Sequence, residues 1–152
     1  MKLLKNPWVS AAVTAAGSLV YGSIFILTSA HLEFERILAH GETLGSNFWN
    51  GWSAFLRQGN LKWIGYIYLA AAACTVLVTL LRKRRYDEYQ ADILTRSFAM
   101  AGAILLLLFP AALLLVLSDP NYAVEAVVLL AVGHWSLFLL TSLIYAVKWC
   151  RA

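Results

Sequence analysis

The sequence predicts an all-α membrane protein, a four-transmembrane-helix bundle with an outward amphipathic interfacial helix between helices one and two. Three observations carry that expectation. Of 152 residues, 61% are hydrophobic and only 13% charged, whereas a soluble domain carries roughly 45–50% apolar and about 25% charged residues. Four apolar stretches take up most of the length, and each can cross the roughly 30 Å of bilayer hydrocarbon at about 1.5 Å per residue. The cationic side chains cluster beside these stretches instead of along a folded surface. A single integral membrane domain over residues 1–152 is therefore expected.

The expected spans are 8–30, 61–81, 98–117 and 122–147. The first follows Lys2 and Lys5 and ends in Thr28-Ser29-Ala30, a small-residue pattern that a signal peptidase could accept. Its 23 residues exceed the roughly 7–15-residue core of a signal peptide, so it is read as a retained span. Within it Ala11, Ala15, Ser18 and Gly22 fall at helical spacing and form a small-residue stripe on which a partner backbone can approach closely. Gly65, the run Ala70 to Ala73 and Cys74 serve the second span in the same way. Pro110 removes one backbone donor from the third span and predicts a kink there. Only residues 118–121 separate the third and fourth spans, which must then be antiparallel neighbours. Cys74 and Cys150 belong at different membrane depths, so no disulfide is expected.

Orientation follows from the cations. Lys2, Lys5, Arg82, Lys83, Arg84, Arg85, Arg96, Lys148 and Arg151 lie on one side, against Arg36, Arg57 and Lys62 on the other. This asymmetry places both termini in the cytoplasm and the connection 31–60 outside. The net charge of +4 then reports topology and implies no nucleic-acid partner. Short loops and the lack of targeting motifs fit a bacterial plasma membrane.

The long connection is too aromatic for a plain linker. With Ser46 as N-cap, Phe48, Trp49, Trp52, Phe55 and Leu56 form an apolar stripe opposite Asn50, Ser53 and Arg57. Such a helix can anchor in the headgroups, close as a lid over a cavity, or offer a docking surface. The same connection holds His31, Glu33, Glu35, His40 and Glu42, a donor set that zinc could use. Their spacing matches no metal motif, and solvated charges at a helix end are expected, with no metal and no cofactor. His31 and Glu35 would share a face if the first helix continued past Ala30.

On the opposite side, Arg82, Lys83, Arg84 and Arg85 can hold anionic lipid headgroups at about 1 kcal/mol per cation, or simply stop the second span from sliding. Asp87 and Glu88 partly neutralise them. Glu125 opens the fourth span, where a hydrated first-turn acid is expected. His134 falls at the centre of that span with Phe138, Thr141 and Tyr145 following on one face, which should look into the bundle. His134, Thr141, Tyr145 and Tyr21 are accordingly the candidate ligand or proton residues, and Tyr21, Ser18, Thr14 and Thr75 are candidate partners for the imidazole.

Phe34-Glu35-Arg36, followed by Ala39-His40, Glu42 and Leu44, resembles part of the Glu-Arg…Ala-His-x-Asn-x-Leu-Glu-Asn segment of the membrane-associated eicosanoid and glutathione metabolism proteins, which are also four-helix chains. The likeness spans about a dozen residues. Glu42 stands where that family has Asn, and Gly45-Ser46 where it has Glu-Asn. The family's later Arg and Tyr positions have no evident counterpart, and the cation count puts this loop on the opposite side of the membrane. Glutathione chemistry is therefore not carried over.

No carboxylate pair, nucleophile with a base, or cofactor motif stands out, so an interaction or accessory subunit in the plasma membrane is the first expectation. Its partners would be the bilayer and a larger membrane complex or a second copy. An oligomeric small-solute or ion pathway, or a ligand-binding membrane protein, is the alternative, and an intramembrane enzyme the third reading. The topology is directly checkable: an impermeant thiol reagent added to intact cells should modify Gly51→Cys and spare Arg84→Cys and Lys148→Cys, and labelling of position 84 would reverse the orientation.

Overall fold

Lipid offers no hydrogen bonds to a backbone, so long apolar segments close their own as helices. In a computed structural model that describes residues 6–41, 43–81 and 87–150, all the regular structure is helical. Four segments are long and apolar enough to cross a membrane: α1 (Pro7–Ser29), α4 (Leu61–Leu81), most of α5 (Glu88–Ser118), and the stretch Pro120–Tyr145 that opens α6 (Ala123–Cys150). Two shorter helices, α2 (Leu32–Ile37) and α3 (Asn47–Arg57), lie in the long connection.

Local chemistry sets most of the boundaries. The Asn6 side chain accepts a hydrogen bond from Trp8 N at 3.1 Å, and Pro7 occupies the first helical turn. At the other end of α1 the chain turns at Ala30, and His31 Nδ1 accepts from Glu33 N at 3.3 Å to start a new helix. The first helix thus stops before His31, and the expected continuation that would join His31 and Glu35 on its face does not occur.

α5 begins ten residues earlier than hydropathy indicated, because Asp87 and Gln90 form a reciprocal capping box with bonds of 2.7 and 3.3 Å. An Arg96–Asp92 pair at 2.9 Å supports the polar first turns. Apolar content marks where lipid begins, whereas the cap marks where the helix begins. The resulting 31 residues measure about 46 Å, longer than the hydrocarbon needs. The helix runs on through Pro110. Arg82, Lys83, Arg84 and Arg85 lie outside the described residues.

α1 packs most extensively on α4, α6 packs on α4 and more lightly on α1, and α5 rests on α6. Gly22 and Gly65 make the α1–α4 crossing possible. A Cβ at Gly65 would lie 2.8 Å from the Gly22 carbonyl oxygen, and one at Gly22 would lie 3.0 Å from that of Gly65. The buried edge of α1 is Ala11, Thr14, Ser18, Gly22, Phe25 and Ser29, with Ala15 only half-buried. Gly17 makes room for α6: a Cβ there would overlap the Trp135 ring at Cη2. The Trp135 indole donates to Ser18 Oγ at 3.1 Å.

Gly22→Leu should force the two backbones apart and destabilise the bundle by about 1–3 kcal/mol, read in detergent as a lower melting temperature. Ala16→Leu, on the exposed side of α1, should melt like the parent.

Candidate functional site

The ends of the spans joined by the connection 30–60 and by the turn at Asp119 are roofed by a structured cap. Leu38 and Leu56 are fully buried and Leu61 nearly so, and they join Phe25, Phe34, Tyr68, Trp135 and Leu139 in one apolar cluster. Leu44 and Trp49 pack on a second cluster of Leu115, Tyr122 and Ala126. The cap is therefore continuous with the interior of the bundle, and its removal would expose both clusters.

Polar contacts then seat it on the start of α6. Trp52 Nε1 donates to the Glu125 carbonyl at 3.0 Å, and the Tyr122 hydroxyl donates to Asn50 Oδ1 at 2.6 Å. Asn50 Nδ2 in turn donates to the Leu44 carbonyl at 3.2 Å. Thr43 Oγ1 donates to the Asp119 carboxylate, which also caps the 3-10 turn Pro120–Tyr122 by accepting from Asn121 N at 3.1 Å. These hydrogen bonds, from Thr43 first, hold the Asp119 carboxyl below the usual carboxylate range.

At the centre of this arrangement lies an acid–base pair. His40 Nε2 is 2.7 Å from Glu125 Oε1, and the Glu125 side chain has no exposure. The expectation of a hydrated first-turn acid is corrected: the cap excludes the water on which it depended. His40 likewise is not a solvated charge. Its ring stands edge-on to Tyr122 with centroids 4.6 Å apart, and its Nδ1 faces the Gly41 carbonyl at 3.0 Å. Burial works against charge on this imidazole, as does Arg57 nearby. The Gly41 carbonyl, the hydrogen bond to Glu125 and the Glu125 charge outweigh both and raise its pKa above the ordinary 6.5. Glu125 Oε2 is buried with no hydrogen-bond partner among the described residues.

The face of α3 also differs from expectation. Asn50 bonds inward and Ser53 is buried, against the expected polar side opposite the apolar stripe, while Phe48 is 60% exposed. Trp49, Trp52 and Phe55 are partly buried against protein. Ser46 occupies the N-cap position without a side-chain capping bond. An eleven-residue helix with polar groups on both flanks has more than one reading by periodicity alone, and the partners on Tyr122 and Glu125 choose between them.

His134, Thr141, Tyr145 and Tyr21 are put to separate uses. His134 is half-buried, and its Nδ1 has no hydrogen-bond partner among the described residues. The Thr141 hydroxyl donates to the carbonyls of Leu137 and Phe138 in its own helix. Tyr21 stacks on Trp135 at 5.0 Å, and Tyr145 packs with Ile93, Leu94 and Phe98. Of the expected imidazole partners, Ser18 is taken by Trp135, and Thr75 donates to the Ala71 carbonyl. From the level of His134 onward the buried edge of α6 is Trp135, Leu139 and Ser142, one position round from His134.

The aromatic rings instead form a ladder through the spans. Tyr21 stacks on Trp135, Trp135 on Phe138 and Phe138 on Phe98, the last two at 4.6 Å. Beside it the Tyr68 hydroxyl bonds the Val132 carbonyl at 2.9 Å and Ser136 Oγ at 2.8 Å. No group of His, Cys, Asp and Glu that could hold a metal ion occurs among the described residues.

These features define an all-helical protein with four helices able to cross a membrane and a buried glutamate paired with a half-buried histidine of the cap. Comparison with protein-family profiles, with curated proteins and with solved structures finds no match. Of the segment that resembles the eicosanoid and glutathione metabolism proteins, residues 34–41, 43 and 44 belong here to the cap, with His40 on Glu125, and Glu42 lies outside the described residues.

Asn50→Leu should strand the buried Tyr122 hydroxyl and cost about 1–3 kcal/mol in a denaturation experiment. Phe48→Ser, on the exposed side of the same helix, should stay within about 0.5 kcal/mol of the parent.

Proposed function

We propose that the chain is a small multi-pass membrane protein that serves as an interaction or accessory subunit in the plasma membrane, with both termini cytoplasmic and the cap outside. The filled interior is the observation that carries this reading. Between the cap and the level of His134 the space among α1, α4 and α6 is taken by Phe25, Tyr21, Tyr68, Trp135 and Leu139. A conduit needs a polar lining, and these side chains are aromatic or aliphatic. The cavity between α4 and α6, about 200 Å³, is lined mainly by Ile67, Ala71, Leu139, Leu140 and Leu143. It suits an acyl chain better than a solute.

Orientation rests on the excess of Lys and Arg on the termini side. The cationic run Arg82 to Arg85 would then meet the anionic cytoplasmic leaflet. Phe48, exposed on α3, and the unpaired edge of α5 are where a partner or lipid would make contact, and the fixed seat of α3 gives such a surface a defined shape.

Purification in mild detergent, followed by identification of co-purifying proteins and small molecules, tests the reading. A stoichiometric protein partner lost on Phe48→Asp would support it. A homogeneous single species that conducts ions or solutes when reconstituted alone into vesicles would overturn it and favour the oligomeric pathway.

A further inference from the structure

The hydrogen-bond geometry around His40 fixes how many protons the site holds. The Gly41 carbonyl can only accept, so Nδ1, 3.0 Å away, carries a hydrogen. Nε2 then faces Glu125 Oε1 at 2.7 Å, a separation that requires a second proton, held either by Nε2 or by the carboxyl group. Without it two lone pairs would meet at hydrogen-bond distance. Switching tautomers offers no escape, because moving the Nδ1 hydrogen to Nε2 would oppose a lone pair to the Gly41 carbonyl.

We propose that the pair of half-buried His40 and buried Glu125 is a proton-binding site whose occupancy latches the cap, comprising α2, α3 and the described residues between them, onto the start of α6. The proton sits between Nε2 and Oε1. On its loss to water the carboxylate is left in a buried site against a neutral imidazole lone pair, and His40 must move away. Its neighbours move with it, since Leu38, Leu44 and the bond from Thr43 to Asp119 lie within the same short segment.

Among the described residues, four charged or titratable groups face the ring. Glu125 of α6 lies in direct contact, Arg57 of α3 opposes the imidazolium, Asp119 before the 3-10 turn favours it, and Tyr122 presents its ring. Glu125 Oε2, buried and without a hydrogen-bond partner among the described residues, offers the carboxylate no substitute contact there when the proton departs. The raised pKa of His40 sets the sign. A group whose pKa is higher in the latched state stabilises that state fully below its free value near 6.5, and the stabilisation is lost as pH rises through the raised value. The latch should be shut in mild acid and open in alkali. This site stands whether or not the chain assists a partner.

The full-length protein in detergent, with Cys74→Ala and Cys150→Ala, provides the test. Ser53→Cys reports the buried side of α3 and Gly51→Cys its exposed side. The ratio of their maleimide labelling rates cancels the common pH dependence of the thiolate. That ratio should rise about tenfold between pH 5.5 and 9. Glu125→Gln should hold it low at every pH, because a carboxamide N–H can donate to neutral Nε2 without a titrating proton. His40→Ala should hold it high throughout. Where Ser53→Cys does not fold, hydrogen exchange over residues 48–56 in the chain with its native cysteines, referred to α4, reads the same comparison. A ratio in the parent that ignores pH, or a rise that survives unchanged in Glu125→Gln, would overturn the proposal.

Discussion

The close contact of Gly22 with Gly65 is the constraint on which the rest of the molecule depends. Lipid tails are as apolar as leucine, so helices in a bilayer gain little from hydrophobicity and must associate through close packing. Two glycines facing one another let α1 and α4 touch backbone to backbone. That pair forms the wall against which α6 is fitted, and Trp135 enters the notch at Gly17 with its indole hydrogen bond on Ser18. Ser18 and Trp135 each lie about 17 Å of helix from the loop end, so the notch fixes the height of α6 and brings Glu125 level with the cap.

Polarity is distributed so that few groups in the spans depend on one another. Ser29, Thr75, Thr79, Thr95 and Thr141 return their hydroxyl bonds to carbonyls of their own helices. Cross-helix polar bonds join Trp135 to Ser18 and Tyr68 to Val132 and Ser136. The hydroxyls of buried Thr14 and Ser142 and the Nδ1 of His134 have no partner among the described residues. The aromatic ladder contributes where hydroxyls do not, with stacked pairs adding about 0.5–1.5 kcal/mol each beyond the area they bury.

The histidine–glutamate pair obeys a different economy. A buried ion pair adds little net stability, because desolvation offsets the attraction, yet removing one partner typically costs about 3–5 kcal/mol. Such a pair is therefore a weak adhesive and a sensitive one. Its energetic asymmetry resides at the junction of the cap with α6, where apolar contacts from Leu38 and Leu56 supply steady attachment and the acid–base contact makes that attachment responsive.

The sequence by itself determined the helical class, the four segments able to span a membrane, the limits of α4 and the close-packing role of Gly22 and Gly65. Each follows from hydropathy, small side chains or spacing within one segment, which are local quantities. The early start of α5 was also legible, in the capping box at Asp87 and Gln90, but an apolar window overlooks it. The inward edge of α3, the use of Trp135 in place of His134 on α6 and the pairing of His40 with Glu125 were decided only by the tertiary structure. Glu125 follows His40 by 85 residues, and its burial exists only once α3 has folded over the end of the bundle. Whether a carboxylate near a membrane surface meets water or an imidazole depends on what covers it, and no local pattern records that.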